Sequence, residues 1–160
     1  MQGNSHPSGK IDMEKNKLTE ALNAIEVGNY DSAYDLLKSL AGSGSAVASY
    51  NLGWMYENGQ GVAQDDEEAI KWYLKSAEQG NDFAQFRLGW MYEKGQIVKQ
   101  DQALAIKWYL KSAEQGNDKA QYNLGWMCRD SQGVKQDQAL AIEWYWKSAI
   151  QENDFAQLSL

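Results

Sequence analysis

The chain is poor in the residues that build most catalytic sites and covalent staples. Its 160 residues include one cysteine, Cys128, one histidine, His6, and one proline, Pro7. A single cysteine excludes an intrachain disulfide. The three counts together exclude a zinc site of Cys and His ligands and a histidine-based catalytic triad. Beyond Pro7 nothing forbids continuous helix. No run of 18 apolar residues exists, so no membrane insertion is expected. The opening MQGNSHPSGK is polar and lacks the apolar centre of a signal peptide. That start favours a cytoplasmic protein, with a periplasmic or secreted one following if a leader has been removed. Positive charge is scarce as well. Fifteen Lys and Arg against 22 Asp and Glu give a formal charge of -7. This opposes nucleic-acid binding and attachment to an anionic membrane, both of which need clustered cations.

What is present is enough for a folded core. Hydrophobic residues make up 43% of the sequence and charged residues 23%, a balance that argues against wholesale disorder. Self-similarity dominates. Leu52-Gly53-Trp54-Met55 recurs at Leu88-Gly89-Trp90-Met91 and at Leu124-Gly125-Trp126-Met127. Trp72-Tyr73 recurs at Trp108-Tyr109 and Trp144-Tyr145, and the stretch Ile70 to Asp82 is identical to Ile106 to Asp118. The offset is 36 residues throughout, a period that signals a solenoid or array.

Each repeat reads as two helices. A rotation of about 100° per residue puts Ala48, Ser49, Leu52, Met55 and Tyr56 on one side of the first helix, and Tyr50, Trp54 and Glu57 on the other. In the second helix Ala69, Ile70, Trp72, Tyr73 and Ala77 form an apolar arc opposite Glu67, Lys71, Lys75 and Glu78. Glu67 and Lys71 are expected to pair at i,i+4. Asn81, Asn117, Asp65, Asp101 and Asp137 stand where N-caps are wanted. Gly59, Gly95, Gly80 and Gly116 stand just past helix ends, where a left-handed residue is wanted. Val62, Ile97, Val98 and Val134 are expected to plug the space between the paired helices. A worn copy precedes the clear ones, with Ala33, Ala41 and Gly44 on the positions of Ala69, Ala77 and Gly80. Residues 12–27 and 31–41 read as its hairpin, a cap of the kind solenoids need. The expected layout is a polar disordered tail over 1–11, the cap over 12–44, repeats over 45–80, 81–116 and 117–152, and the start of a further first helix over 153–160.

The pattern Ala-x-x-x-Leu-Gly-x-x-Tyr, then Gly-x-Gly-Val, then Asp-x-x-x-Ala-x-x-Trp-Tyr-x-Lys-Ser-Ala-x-x-Gly resembles the Sel-one-like repeat family, a relative of the tetratricopeptide repeat. The resemblance covers residues 45–160, and Gly28-Asn29-Tyr30 with Ala33 resembles the ordinary tetratricopeptide pattern. It implies an all-α fold: a right-handed α/α superhelix of helix-turn-helix repeats with first helices lining the concave side. It also implies an adaptor or scaffold role, with some bacterial members acting as immunity proteins. A cysteine-rich bacterial group has been linked to β-lactam binding. This protein lacks the paired cysteines of that group.

The third copy departs from the other two. Ser131 replaces Gly59 and Gly95, Glu152 replaces Gly80 and Gly116, Cys128 replaces Tyr56 and Tyr92, and Trp146 replaces Leu74 and Leu110. Drift in a terminal repeat accounts for this, as does a contact surface completed by another protein. Asn153 to Leu160 begins another first helix, too short to be stable alone. Phe155, Leu158 and Leu160 then close the last pair, or the natural protein extends further, or the uncapped end self-associates.

Enzymatic motifs are weak or absent. The acidic run Asp65-Asp66-Glu67-Glu68 has capping-box spacing between Asp65 and Glu68 and reads as cap plus solvated face. Gly59-Gln60-Gly61 lacks the lysine and third glycine of a phosphate loop, and Gly42-Ser43-Gly44-Ser45 is a turn. Cys128 reads as a small buried apolar group and His6 as a solvated tail residue. A hydrolase therefore lacks an activated nucleophile, and no cofactor or metal is implied.

The aromatic residues form two sets. Trp72, Trp108 and Trp144 with Tyr73, Tyr109 and Tyr145 read as core. Trp54, Trp90 and Trp126 point away from their helices' leucine face, the direction that the tetratricopeptide arrangement makes concave. They are flanked by Tyr50, Phe86 and Tyr122, by Asn51, Arg87 and Asn123, and by Glu57, Glu93 and Arg129. Two readings stand together: the tryptophans fill the inside of the superhelix, or they anchor a partner's peptide in a groove whose rim varies at Glu57, Glu93 and Arg129. The expected function is a non-enzymatic binding module for another protein or peptide. An immunity protein steering a basic toxin by its acidic charge is the alternative.

Overall fold

The computed structural model describes residues 7–130 and 138–151. These form eight helices and no strand: α1 (Pro7–Glu26), α2 (Tyr30–Gly42), α3 (Ala46–Asn58), α4 (Asp66–Glu78), α5 (Asp82–Lys94), α6 (Gln102–Glu114), α7 (Asp118–Arg129) and α8 (Gln138–Ala149). The expected all-α pairing by 36 residues is what the protein adopts. Two compact units are present, 1–76 and 77–160.

In the first unit α1 starts at Pro7, five residues ahead of the expected start, so residues 7–11 belong to a helix rather than to a tail. Proline suits a first helical position, where its missing N–H is not needed and its φ is already helical. Leu18, Ala21 and Ile25 recur on one face of α1 and meet Leu37, Leu40 and Ala41 of α2 and Ala48, Leu52 and Met55 of α3. Asn29 and Ser45 cap α2 and α3 through their side chains. Gly59 closes α3 in the left-handed region at φ 64°, the sterically easy conformation for glycine alone. Val62 then packs on the same core.

The second unit repeats this construction. Asn81, Asp101 and Asn117 cap α5, α6 and α7, each accepting the backbone N–H three residues on. Ala105, Tyr109 and Ala113 of α6, Ala120, Leu124, Met127 and Cys128 of α7, and Ala141, Trp144 and Tyr145 of α8 form one core. Cys128 is a buried thiol within it, as its sequence position suggests. Trp146, by contrast, is 55% exposed on α8.

Two contacts set the spacing of the helices. The first is glycine against tyrosine. A Cβ on Gly53 would lie 2.7 Å from the Tyr73 ring, one on Gly89 2.6 Å from Tyr109, and one on Gly125 2.7 Å from Tyr145. A glycine inside a helix costs about 1 kcal/mol relative to alanine, and here it permits close approach of the paired helix. The second is a serine hydroxyl donated to the first turn of the partner helix. Ser76 reaches the Ala46 carbonyl at 2.7 Å, Ser112 reaches Asp82 and Ser148 reaches Asp118, both at 2.8 Å. Within the second unit, Gln85 and Gln121 donate to the carbonyls of Ala77 and Ala113. Their own amide oxygens accept from Gln115 and Gln151.

One local expectation is corrected: Lys71 pairs with Glu68 at 3.0 Å, an i,i+3 contact, rather than with Glu67 at i,i+4. Ile97 and Val98 are half-buried, as is Val62. Val134, Ser131, Glu152, the Asp137 cap, and the closing residues Phe155, Leu158 and Leu160 lie outside the described residues, as does His6.

Candidate functional site

The first helices α3, α5 and α7 carry one indole each at the same register. Trp54, Trp90 and Trp126 are all half-buried. In the first unit Trp54 packs on the core cluster with its ring centroid 6.4 Å from that of Tyr30. In the second unit Trp90 and Trp126 both pack against the α6–α7–α8 core. The Arg87 guanidinium lies 4.5 Å from the centroid of the Trp90 ring, a cation–π contact. Each indole thus rests on apolar side chains and keeps part of its surface accessible.

The flanking residues are arranged differently from the sequence expectation. Tyr50, Phe86 and Tyr122 turn toward the second helix of their own repeat. Their rings sit 5.7 Å, centroid to centroid, from Tyr73, Tyr109 and Tyr145. Glu57 and Glu93 turn the same way. Tyr73 donates its hydroxyl to Glu57 Oε2, and Tyr109 donates to Glu93 Oε2, both at 2.7 Å. Positions 50, 53 and 57 therefore form the stripe that packs on the paired helix, and Trp54 lies at its edge. The expected rim of Glu57, Glu93 and Arg129 is corrected accordingly: Glu93 is only 9% exposed, whereas Arg129 is exposed. A helical wheel separates two sides of a helix, but it cannot show that both sides meet neighbours.

The polar residues of the set complete this picture. Asn51 donates to the Val47 carbonyl of its own helix at 2.8 Å. The Tyr109–Glu93 hydrogen bond joins α6 to α5, and Asn123 of α7 is half-buried. Burial, reinforced by the Glu93 carboxylate, pushes the Tyr109 phenol well above its ordinary range. The matching phenol of the third repeat, Tyr145, is also raised, with burial as the first cause. In the first unit the Tyr34 and Tyr56 hydroxyls lie 3.0 Å apart, and this hydrogen bond with burial pushes Tyr56 up to about 12.

Around the other tryptophans, Lys75, Lys111 and Lys147 stand 5.0, 4.9 and 4.4 Å from the ring centroids of Trp72, Trp108 and Trp144. Sequence reasoning misses these cation–π pairs, although Trp-x-x-Lys recurs in every copy. It also misses a hollow of about 260 Å³ in the first unit, lined by Ile11, Glu14, Lys15, Leu18, Leu40, Ser43, Gly44 and Ser45. Among the described residues no cluster of three or more His, Cys, Asp or Glu side chains has the arrangement to hold a metal ion. No described helix is long and apolar enough to cross a membrane. Asp65 of the acidic run caps α4, accepting from the Glu68 N–H at 2.9 Å.

A family model described as Sel1 repeat matches residues 46–81, 82–117 and 118–153. A Sel1 repeat protein from Oxalobacter formigenes is 44% identical, with a TM-score of 0.75 over 78% of this chain and 93% of that one. The structure of c5321, described as a protective antigen of uropathogenic Escherichia coli strains displaying an SLR fold, is 36% identical. Its TM-score is 0.83, over 93% of this chain and 33% of that one. A putative sel1-like repeat-containing protein, L18, of Acanthamoeba polyphaga mimivirus is 44% identical over 45 residues, which span 28% of this chain and only 8% of that protein.

Proposed function

Because the chain belongs to the Sel1 repeat family, whose members mediate protein–protein interaction, we propose that it binds another protein or peptide and catalyses no reaction. The observation that supports this most directly is the repeated half-buried indole. Trp90 and Trp126 sit on a common core, and Trp54 holds the same register on α3. A tryptophan fixed at its base and accessible at one face is a ready anchor for a partner's apolar side chain. Trp, Tyr and Arg dominate interface hot spots, where truncation costs about 2 kcal/mol or more. Arg87 beside Trp90 and Arg129 beyond Trp126 supply polar selection at the edges. The first hairpin, α1 and α2, serves as the N-terminal cap.

The test is capture of interacting proteins by the 160-residue protein and by Trp54→Ala, Trp90→Ala and Trp126→Ala, with helicity followed by circular dichroism. Loss of one partner from the folded variants is expected. Retention of all partners by three folded variants removes the indoles from the interface. The narrower reading, an immunity or inhibitor protein that occludes a toxin, draws on the charge of -7, which attracts a cationic partner. It requires that association slow steeply with added salt.

A further inference from the structure

The third of the duplicated second helices departs from the other two on one side. Ile70 to Asp82 and Ile106 to Asp118 are identical, and residues 142–154 differ from them at four positions. Glu143 replaces a lysine, Trp146 a leucine and Ile150 a glutamate, while Glu152 lies outside the described residues. At about 100° per residue, positions 143, 146 and 150 fall within about 60° of one another. They lie on the side of α8 opposite the buried Ala141, Tyr145 and Ser148. The helical turn persists to the end of this arc, where the Ile150 N–H donates to the Trp146 carbonyl at 3.0 Å.

The replacements make this side apolar. Ile142, common to all three copies, is 50% exposed, Trp146 55% and Ile150 76%. They form a stripe at i, i+4 and i+8. Relaxed constraint explains change on a solvent-facing arc, but it does not select apolar residues there. Contiguous exposed apolar side chains on a folded protein mark an interaction surface.

We propose that α8 pairs with α8 of a second copy of this protein, antiparallel about a two-fold axis at Trp146. The spacing is self-complementary, as a two-fold interface requires. Ile142 and Ile150 are equally far from Trp146 along the helix, so the axis sets Trp146 on its copy and each Ile142 on the other Ile150. The charges fit the same arrangement. Glu143 and Lys147, which pair at 2.8 Å, share one edge of the stripe and remain 57% and 46% exposed. In an antiparallel pair that edge faces its own copy, and Lys147 of the second copy falls two residues, about 3 Å along the axis, from Glu143. The two ion pairs thus join into a cluster of alternating sign. Helices α4 and α6 carry lysine at both positions, Lys71 with Lys75 and Lys107 with Lys111, and would set like charges against each other. One helix face is smaller than the about 800 Å² per partner of a standard interface, so the dimer is a weak one. It needs none of the first-helix indoles and stands or falls apart from capture of another protein.

The experiment is sedimentation equilibrium of the 160-residue protein from about 10 μM to about 1 mM, at physiological ionic strength. A reversible monomer–dimer equilibrium is expected. The double variant Trp146→Leu, Ile150→Glu, which restores the face of α4 and α6, should weaken it at least about tenfold at unchanged helicity. Glu143→Lys should weaken it as well. Cross-linking with a short bismaleimide tests the geometry separately. A mixture of Ile142→Cys and Ile150→Cys proteins should cross-link faster than either alone. The buried Cys128 stays in place, and the unsubstituted protein gives its background. A monomer at every concentration overturns the proposal and leaves the face to another protein or to further residues of the same chain. A dimer that the folded double variant retains overturns it too, as does cross-linking of either cysteine variant alone at the rate of the mixture.

Discussion

At the residue scale the Tyr109–Glu93 hydrogen bond sets a measurable pH dependence. The folded protein holds the Tyr109 phenol above its ordinary value, so the native state keeps a proton that the unfolded state releases near pH 10. The stability tied to this proton is fully present below about pH 10 and is lost as pH rises toward the folded value. Tyrosinate absorbance in an alkaline titration should show Tyr109 ionising only with unfolding, and Tyr109→Phe should flatten the loss of stability above pH 10. That variant removes the donor to Glu93 Oε2, while Oε1 still accepts from Lys94 at 2.6 Å, and should cost about 1–3 kcal/mol at neutral pH. The glycine contacts make a second test. Gly89→Ala drives a methyl into the Tyr109 ring and should destabilise by about 1–3 kcal/mol. For a domain of this size that lowers the melting temperature by about 2–4 °C per kcal/mol. A substitution at Gly80, where an added Cβ meets nothing within 4 Å, is penalised only through its φ of 92°.

At the element scale the caps carry the clearest differences. Asn117 caps α7 and also donates to the Asp82 carboxylate of α5 at 3.0 Å, and it is buried. Asn81 is half-buried and caps α5. Asn81→Ala should cost about 1 kcal/mol, and Asn117→Ala more, in urea unfolding of each variant. The helices and most of their caps are legible in the sequence because capping and glycine placement are local effects. The 36-residue period supplies the pairing. The early start of α1 is not legible, since Pro7 reads as a tail residue until its suitability for a first helical turn is weighed. On α3, α5 and α7 the sequence places Leu52, Leu88 and Leu124 on the correct face and misplaces Tyr50, Glu57 and Glu93. Periodicity locates the most apolar side of a helix. A second buried side, built of a glycine, a ring and a hydrogen-bonded glutamate, carries too little hydrophobic signal to be seen that way.

At the scale of the whole molecule, charge and repetition matter most. A formal charge of -7 sets the sign of the long-range field, so capture of a basic partner should quicken at low ionic strength. Stopped-flow association across a salt series checks this, and a rate indifferent to salt removes electrostatic steering. The contacts that hold a helix pair together recur at fixed offsets along the sequence: glycine to tyrosine, serine to first-turn carbonyl, glutamine to glutamine. Any tandem copying event that inserts a whole multiple of the period brings both halves of every joint with it. Such an array can lengthen in one genetic step, without compensating changes elsewhere, and its reach becomes a trait that selection can adjust by copy number.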